Sequence, residues 1–566
     1  MLSSHPLHYF WRAALLGALL LLALPPAVQG EPRILYVASG AAGAGDGSSW
    51  QDAYRNPQDA LAIAQPGDQI WIAQGVYTPG GERGDTFRLP NGVALYGGFR
   101  GDEMPQSPTG EPPPRDWLAH PTILSGDLLG NDSGPVATEE PSRAENSYHV
   151  LTAISVDGST RLDGLIIRSG NANGYHPDSA GAGLYLAGGN PTIANCLFEA
   201  NAAAFGGGIA CYSGAAPLVS HCIFRRNVGW WAGGGLYSRD SEPVVQGSLF
   251  EENRTTAAGG GMACYGGTQP TVTDSVFRNN RATAGAGLAC EENAPWVMDS
   301  TFHGNTAYEG GAIRSLNSNL VLVSSALVDN AADVHGGAIQ SLGHSQPLVI
   351  NCLLAGNRAL RGGAISSSQR AGPLVINSAL AGNVASTYGG GIFGSGAAET
   401  MAIQCTLGGN RAPQGSAVAA LDYHRLTVRQ SIVWGGTGAQ TAHDTTATIT
   451  VTHSLVQGGY AGEGNLLADP RFIRPPSAGP DGLWATSDDD AGDLCLYPRS
   501  PAIDAGQLAL LPADLADLDA DGDIAEPLPF DLAGNPRLRG PAPDLGAYEM
   551  PPHEILALPL IVVSHF

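Results

Sequence analysis

From about residue 180 to 420 the chain repeats itself with steps of 25, 26 or 27 residues, and three columns read straight down it. A glycine cluster closes on an aliphatic at Leu184, Ile209, Leu236, Met262, Leu288, Ile313, Ile339, Ile365, Ile392 and Val418. An asparagine recurs at Asn201, Asn227, Asn253, Asn280, Asn305, Asn330, Asn357, Asn383 and Asn410. Three residues before each asparagine stands Phe198, Phe224, Phe250, Phe277 or Phe302, then Leu327, Leu354, Leu380 or Leu407. Self-similarity of this kind means stacked units, each unable to bury its own apolar face alone.

The units are strands, not helix pairs. Short runs rich in Val, Ile, Phe, Leu and Ser, such as Pro217-Leu218-Val219-Ser220-His221-Cys222-Ile223-Phe224, are bounded by Gly, Asn or Pro. The pattern predicts an all-β fold, a right-handed parallel β-helix of about 26 residues per coil. At ~4.8 Å per coil, ten coils make a solenoid of roughly 45–50 Å. The Phe column, the aliphatic column and a Cys/Ser column (Cys196, Cys222, Ser248, Ser275, Ser300) become inward ladders. Each Asn is expected to take the left-handed conformation at a tight corner and to bond the amide of the next coil. The glycines permit positive φ or close backbone approach at another corner.

Around this core the chain divides into segments. Residues 1–30 read as a signal peptide, with Arg12, the apolar run Ala13–Leu24, Pro25-Pro26 and then Val28 and Gly30. That run is too short to span a bilayer. Residues 31–148 are an N-terminal cap and irregular first coils. They include a strand Ile34–Val37, a short helix over 56–64 with Asn56 as cap and Pro57 at its first position, and a strand Gln69–Ala73. Such a helix would cover the unpaired strand edges at the open end of the solenoid. A polar, Pro-rich insertion occupies 101–145, the repeats run over 149–460, an Asp/Pro-rich C-terminal module covers 461–550, and 551–566 is a tail. The mature chain is expected to be secreted or cell-surface, with no transmembrane segment.

Composition narrows the partners. Net charge is −24, all 28 basic residues are Arg, and residues 461–550 carry 17 Asp/Glu against 5 Arg. So acidic a chain is poorly suited to nucleic acid or anionic membrane. Without Lys there is no Schiff-base chemistry and no phosphate-loop Lys. The eight Cys fall mostly in two inward columns, one shared with Ser and the other at Cys211, Cys264 and Cys290. In-register parallel strands hold vertical neighbours too far apart for relaxed disulfides, so small buried thiols are expected.

Two resemblances follow from quoted motifs. The GGAI units (Gly310–Ile313, Gly336–Ile339, Gly362–Ile365) and the F-x-x-N units resemble repeats of chlamydial polymorphic membrane proteins, which are surface adhesins. Three further stretches resemble bacterial secreted β-helix proteins with a choice-of-anchor Q domain. They are Tyr36–Gly40 with Gly47–Trp50 and Pro66–Trp71; Leu162–Arg168 with Gly170–Gly174; and Ser500–Gly506 with Asp531–Arg537 and Asp544–Glu549. That resemblance implies an extracellular, pectate-lyase-like solenoid whose C-terminal module precedes a surface-anchoring signal, with no implied catalysis. Only Pro551–Phe566 follows the module here.

Two clusters carry candidate chemistry. Asp517-Leu518-Asp519-Ala520-Asp521-Gly522-Asp523 has the D-x-D-x-D-G spacing of a calcium loop, with Leu528 where an EF-hand has its bidentate Glu and Glu526 as a substitute. Calcium is therefore the expected cofactor; the competing reading is an acidic surface turn. Asp488-Asp489-Asp490 is a second acidic cluster. The residue four before each aliphatic is expected at a solvent-facing corner: Phe205, Ala232, Ala258, Ala284, Glu309, His335, Arg361, Tyr388 and Gln414. Glu309, His335, Arg361 and Tyr388 then stack on successive coils, with Trp230, Trp231 and Tyr308 near the same edge. This stripe suits an extracellular glycan or cell-surface component; the competing reading is a solvated corner with an incidental ion pair. HExxH, GxSxG and CxxC are absent, and Gly389-x-Gly391-x-x-Gly394 belongs to the repeat glycines. The expected function is a non-catalytic surface for adhesion or glycan binding. Its rival is a polysaccharide-active enzyme, a pectin-type lyase or glycoside hydrolase.

Overall fold

A computed structural model describes residues 32–105, 112–482 and 488–550. The expected leader over 1–30 and tail over 551–566 lie outside the described residues. The chain winds into a right-handed parallel β-helix of about 15 turns. Four parallel sheets form its walls. Sheet I has 15 strands, from Ile34–Val37 to Thr448–Thr452. Sheet II has 14, from Gly75–Tyr77 to Leu455–Val456. Sheet III has 13, from Phe87–Leu89 to Thr441–His443, and sheet IV has nine, from Asn171–Ala172 to Val384–Tyr388. A regular coil visits III, I, II and IV in turn, as Ile209–Tyr212, Leu218–Ser220, Ile223–Arg225 and Val228–Ala232 do before Leu236 begins the next.

Register converts the repeat into ladders. Phe198, Phe224, Phe250, Phe277 and Phe302 pair in register, fully buried, with ring centroids 4.5–5.1 Å apart and planes within 6°. The asparagines form an amide ladder: each Nδ2 donates to the Oδ1 of the next at 2.9–3.1 Å, from Asn201 to Asn410. The same Oδ1 accepts the backbone N–H of the previous Asn, and Nδ2 also reaches a carbonyl of the preceding coil, as from Asn253 to Phe224 at 2.8 Å. One expectation is corrected. The left-handed residue is the one before the Asn, at Ala200, Arg226, Glu252, Asn279 and Asp329, with φ of 53–55°. Turning the chain there swings the Asn side chain inward, where neighbouring coils satisfy it.

The Cys/Ser column behaves likewise. Ser248, Ser275 and Ser300 accept backbone N–H groups from the preceding coil at 3.1–3.2 Å. All eight cysteines are free and seven are buried, as the thiol reading expects.

Both ends are closed. The helix spans Pro57–Leu61, shorter than expected, and Asn56 caps it by accepting the Gln58 N–H at 2.9 Å. Its Ala60 and Leu61 join Leu35, Val37 and Ile70 in the core. At the far end Tyr460 packs on the core and donates its hydroxyl to the Ile449 carbonyl at 2.8 Å. The C-terminal module lies along the side of the solenoid. Leu494 packs on Ala355, Ala379 and Ala381; Leu496, Ala502 and Leu545 pack on Ile432 and Leu455. Buried Arg537 pins it, donating to Asn377 Oδ1 at 3.4 Å and to Gln404 Oε1 of the solenoid while it also donates to the module's own Asp544 and Gly546 carbonyls at 2.9 and 2.6 Å. Among the described residues no helix is long and apolar enough to cross a membrane.

Candidate functional site

The outer faces of sheets III and IV converge at the glycine corner. At Gly206 φ is +64°, and a Cβ there would sit 2.2 Å from the Ile209 carbonyl oxygen, so only glycine makes the bend without strain. Across it the Phe205 ring of sheet IV lies 5.1 Å from the Tyr237 ring of sheet III.

The N-terminal half of this groove is aromatic. Tyr185, Tyr212, Tyr237 and Tyr265 zigzag along sheet III with centroid separations of 5.8, 5.7 and 5.6 Å. They occupy two outward columns, one and three residues after the aliphatic, and Ala187, Ala210 and Ala263 pack among them. His149 lies 5.3 Å from Tyr185, and His176 lies 5.1 Å from Tyr212. Burial pushes the phenol pKa values of all four tyrosines up, and they stay neutral. The sequence reading missed this ladder because it followed the corner column; reading one and three positions after the aliphatic exposes it.

The next coils are polar. Glu309, His335, Arg361 and Tyr388 pair in register, as expected. They are half-buried, and the solvent-facing expectation is corrected: the outer column of sheet III, Arg314, Gln340, Ser366 and Phe393, rises across the groove. The Arg361 guanidinium lies 5.7 Å from the Phe393 ring and 5.9 Å from the Tyr388 ring. Burial, reinforced by Arg361 and opposed by Glu309, holds the His335 pKa below its ordinary value. Among the described residues no ion pair joins Glu309 to His335 or Arg361. Five buried polar atoms here have no hydrogen-bond partner: Arg314 Nε, His335 Nδ1, Gln340 Oε1, Arg361 Nε and Ser366 Oγ. Gln340 and Ser366 are each only 1% exposed.

Trp230, Trp231 and Tyr308 are 43%, 58% and 51% exposed. Two strands of sheet IV separate the tryptophan strand from that of Tyr308, so the structure does not gather the three. A shallow depression of about 430 Å³ beside sheet IV is lined by Glu252, Arg254, Asn279, Arg281, Gly304 and Thr306, and shares none of the groove residues.

The acidic loop of the module does converge. One oxygen each from Asp517, Asp519 and Asp521 lie within 4.8 Å of one another, and so do those of Asp514, Asp519 and Glu526. Asp523 belongs to neither group and instead accepts the Ala525 N–H at 3.0 Å. Asp514 was missed because it stands three residues before the alternating motif. Asp488, Asp489 and Asp490 form no such group among the described residues; Asp490 pairs with Arg474.

The family profile described as a right handed beta helix region matches residues 152–332. Comparison with curated proteins gave no match. Among solved structures, a pectate lyase (Pel9A) is similar at 12% identity over 92% of this chain and 96% of its own, with a TM-score of 0.25. The catalytic unit of a GH87 α-1,3-glucanase from Streptomyces thermodiastaticus is similar at 14% identity over 73% of this chain and 65% of its own, with a TM-score of 0.34. These likenesses concern the β-helix alone.

Proposed function

We propose that this protein is a secreted or cell-surface, non-catalytic β-helix whose groove between sheets III and IV binds an extracellular polysaccharide along the solenoid axis. The observation that carries the reading is the adjacency of a tyrosine ladder and five unpartnered buried polar atoms in one groove. Aromatic faces accept the apolar faces of sugar rings, and a few convergent polar groups then fix orientation. Buried polar atoms rarely go unpaired, so hydroxyls or carboxylates of a ligand are their natural partners. In the polar coils Arg314 and Arg361 offer cations to an acidic glycan. The resemblance to choice-of-anchor Q proteins and to chlamydial surface repeats, with the leader expected over 1–30, supports an exported location.

The test is a glycan array on the purified 31–566 chain, followed by affinity electrophoresis in uronate-containing and neutral polysaccharide gels. Retardation should be stronger in the uronate gel. Tyr212→Ala, at a partly exposed member of the ladder, and Arg361→Ala should each weaken it about tenfold or more, as losses of ~1.4 kcal/mol do. Equal mobility of the wild type and both variants would remove the groove from the function. Release of unsaturated uronate or new reducing ends would replace binding by a lyase or hydrolase reading.

A further inference from the structure

The loop from Asp514 to Glu526 holds six carboxylates, at 514, 517, 519, 521, 523 and 526, and no Arg. Two backbone hydrogen bonds close it, Asp514 N–H to the Glu526 carbonyl and Leu528 N–H to the Pro512 carbonyl, both 2.9 Å. Asp517, Ala520 and Gly522 lie in the left-handed region, with φ of 51°, 58° and 89°. This folds the loop on itself and brings its acidic side chains together. Leu518 and Ala516 meanwhile face the solenoid, where they join Leu528 against Ile350 and Ile376.

Asp514 is the decisive residue. It is 0% exposed, its Oδ2 accepts the Leu518 N–H at 2.6 Å, and its Oδ1 is buried with no partner. Glu526 Oε1 is buried without a partner as well. A buried carboxylate oxygen without hydrogen bond or cation is costly. Asp519 belongs to both three-oxygen groups, so the two groups adjoin. Three oxygens within 4.8 Å of one another fit round one calcium, which takes six to eight oxygens at about 2.3–2.6 Å with opposite ligands roughly 5 Å apart, and Asp519 joins the second trio to the first.

We propose that Asp514, Asp517, Asp519, Asp521 and Glu526 form a calcium site that locks the C-terminal module onto sheet I. Asp514 supplies the buried inner ligand and Asp519 the shared one. Asp523 serves the turn through Ala525 and is not a ligand. All-oxygen, mostly carboxylate donors on a bent loop suit calcium over magnesium, which holds a tighter octahedron and its own waters. The cation would draw the loop closed and so present Ala516 and Leu518 to the solenoid.

The test is calorimetric titration of the chelator-stripped full chain with calcium and, separately, magnesium, paired with hydrogen exchange over 514–528. The expected result is one calcium per chain, with a Kd of about 0.1–1 mM, as in extracellular modules. Calcium should slow exchange across the loop. Asp514→Asn and Asp519→Asn should each weaken binding at least tenfold, whereas Asp523→Asn should stay within about twofold of wild type. Circular dichroism of the solenoid confirms that each variant is folded, and the wild-type titration needs no variant. Wild-type protein that takes up no calcium at about 10 mM, Asp519→Asn that binds as wild type does, or equal affinity for magnesium would each overturn the assignment.

Discussion

Replacing Asn280 by alanine tests the ladder that holds the coils in register. Its Oδ1 accepts two donors from Asn253, the backbone N–H at 3.0 Å and Nδ2 at 3.1 Å. Its Nδ2 donates to the Phe250 carbonyl at 2.9 Å and to Asn305 Oδ1 at 3.0 Å. Alanine deletes all four bonds and strands the Asn253 N–H inside a wall that excludes water, since Asn253 is 0% exposed, while the Phe250 carbonyl loses one of its donors. Each orphaned buried group costs about 1–3 kcal/mol, and the Nδ2 of Asn253 keeps its second bond to the Phe224 carbonyl. The expected loss is therefore about 3–5 kcal/mol, concentrated in the coils on either side. Because a solenoid's stability is a sum of units and interfaces, one melting temperature would dilute this effect. Native-state hydrogen exchange resolves it: amides of residues 249–309 should lose at least about a hundredfold protection, and those near residue 95 none. A loss below about tenfold would mean that water enters the wall and that the amide column does not set the register.

Three further outcomes follow from the same geometry. Phe250→Ala should cost about 3–5 kcal/mol, measured by urea unfolding, because it opens a cavity between Phe224 and Phe277, whose rings lie 4.5 and 4.6 Å away; an unchanged midpoint would contradict its place in the core. Burial beside Asp531 and Asp544 pushes Glu549 up to about 8 despite Arg537, with the Cys405 thiol nearby, so the folded module favours the protonated acid. Its contribution is complete below the ordinary value near 4.5 and is lost as pH rises to about 8; hydrogen exchange at 537–549 should quicken across that range, beyond the intrinsic rate, and Glu549→Gln should flatten the trend. Asn56→Ala should cost about 1 kcal/mol by removing the helix cap, read as faster exchange at Gln58.

How much of this was legible in the sequence depended on which way each side chain points. Inward columns accept few residue types, so Phe, Asn and the aliphatics recur and fix the period by eye. Even there the sequence misplaced the turn: Ala200, Arg226 and Glu252 share no residue type, because the left-handed corner is enforced by the ladder beside it, and only Gly304, Gly356, Gly382 and Gly409 mark it openly. Outward columns carry no such restriction. Tyr185 and Tyr237 stand in one column and Tyr212 and Tyr265 in another, so the aromatic ladder emerges only once both columns are laid on one face. Gln340 reads as an ordinary exposed residue until Arg314 and Ser366 are stacked on either side of it. Asp514 is likewise invisible to a spacing rule, since backbone pairing with Glu526, twelve residues on, brings it to the acidic loop.

The contrast between the two sides of the wall carries the functional argument further. Inside, the polar groups are completed by repetition: each Asn finds its acceptor in the next coil because that coil offers the same residue at the same height. In the groove, successive positions differ. Glu309 is followed by His335 and Arg361, and Arg314 by Gln340 and Ser366, so no coil completes its neighbour and donors and acceptors are left over. A mere structural surface would gain by repeating or by remaining apolar, as the Ala232 and Ala258 positions of the same corner column do. Breaking the repeat only where the tyrosine ladder ends leaves unmet hydrogen bonds that cost stability, and a bound chain of sugars would satisfy them. Occupancy should therefore protect the amides of 309–366 more than those of the already packed aromatic coils. Protection confined to the tyrosine coils would instead limit the glycan to stacking and leave the polar atoms to water.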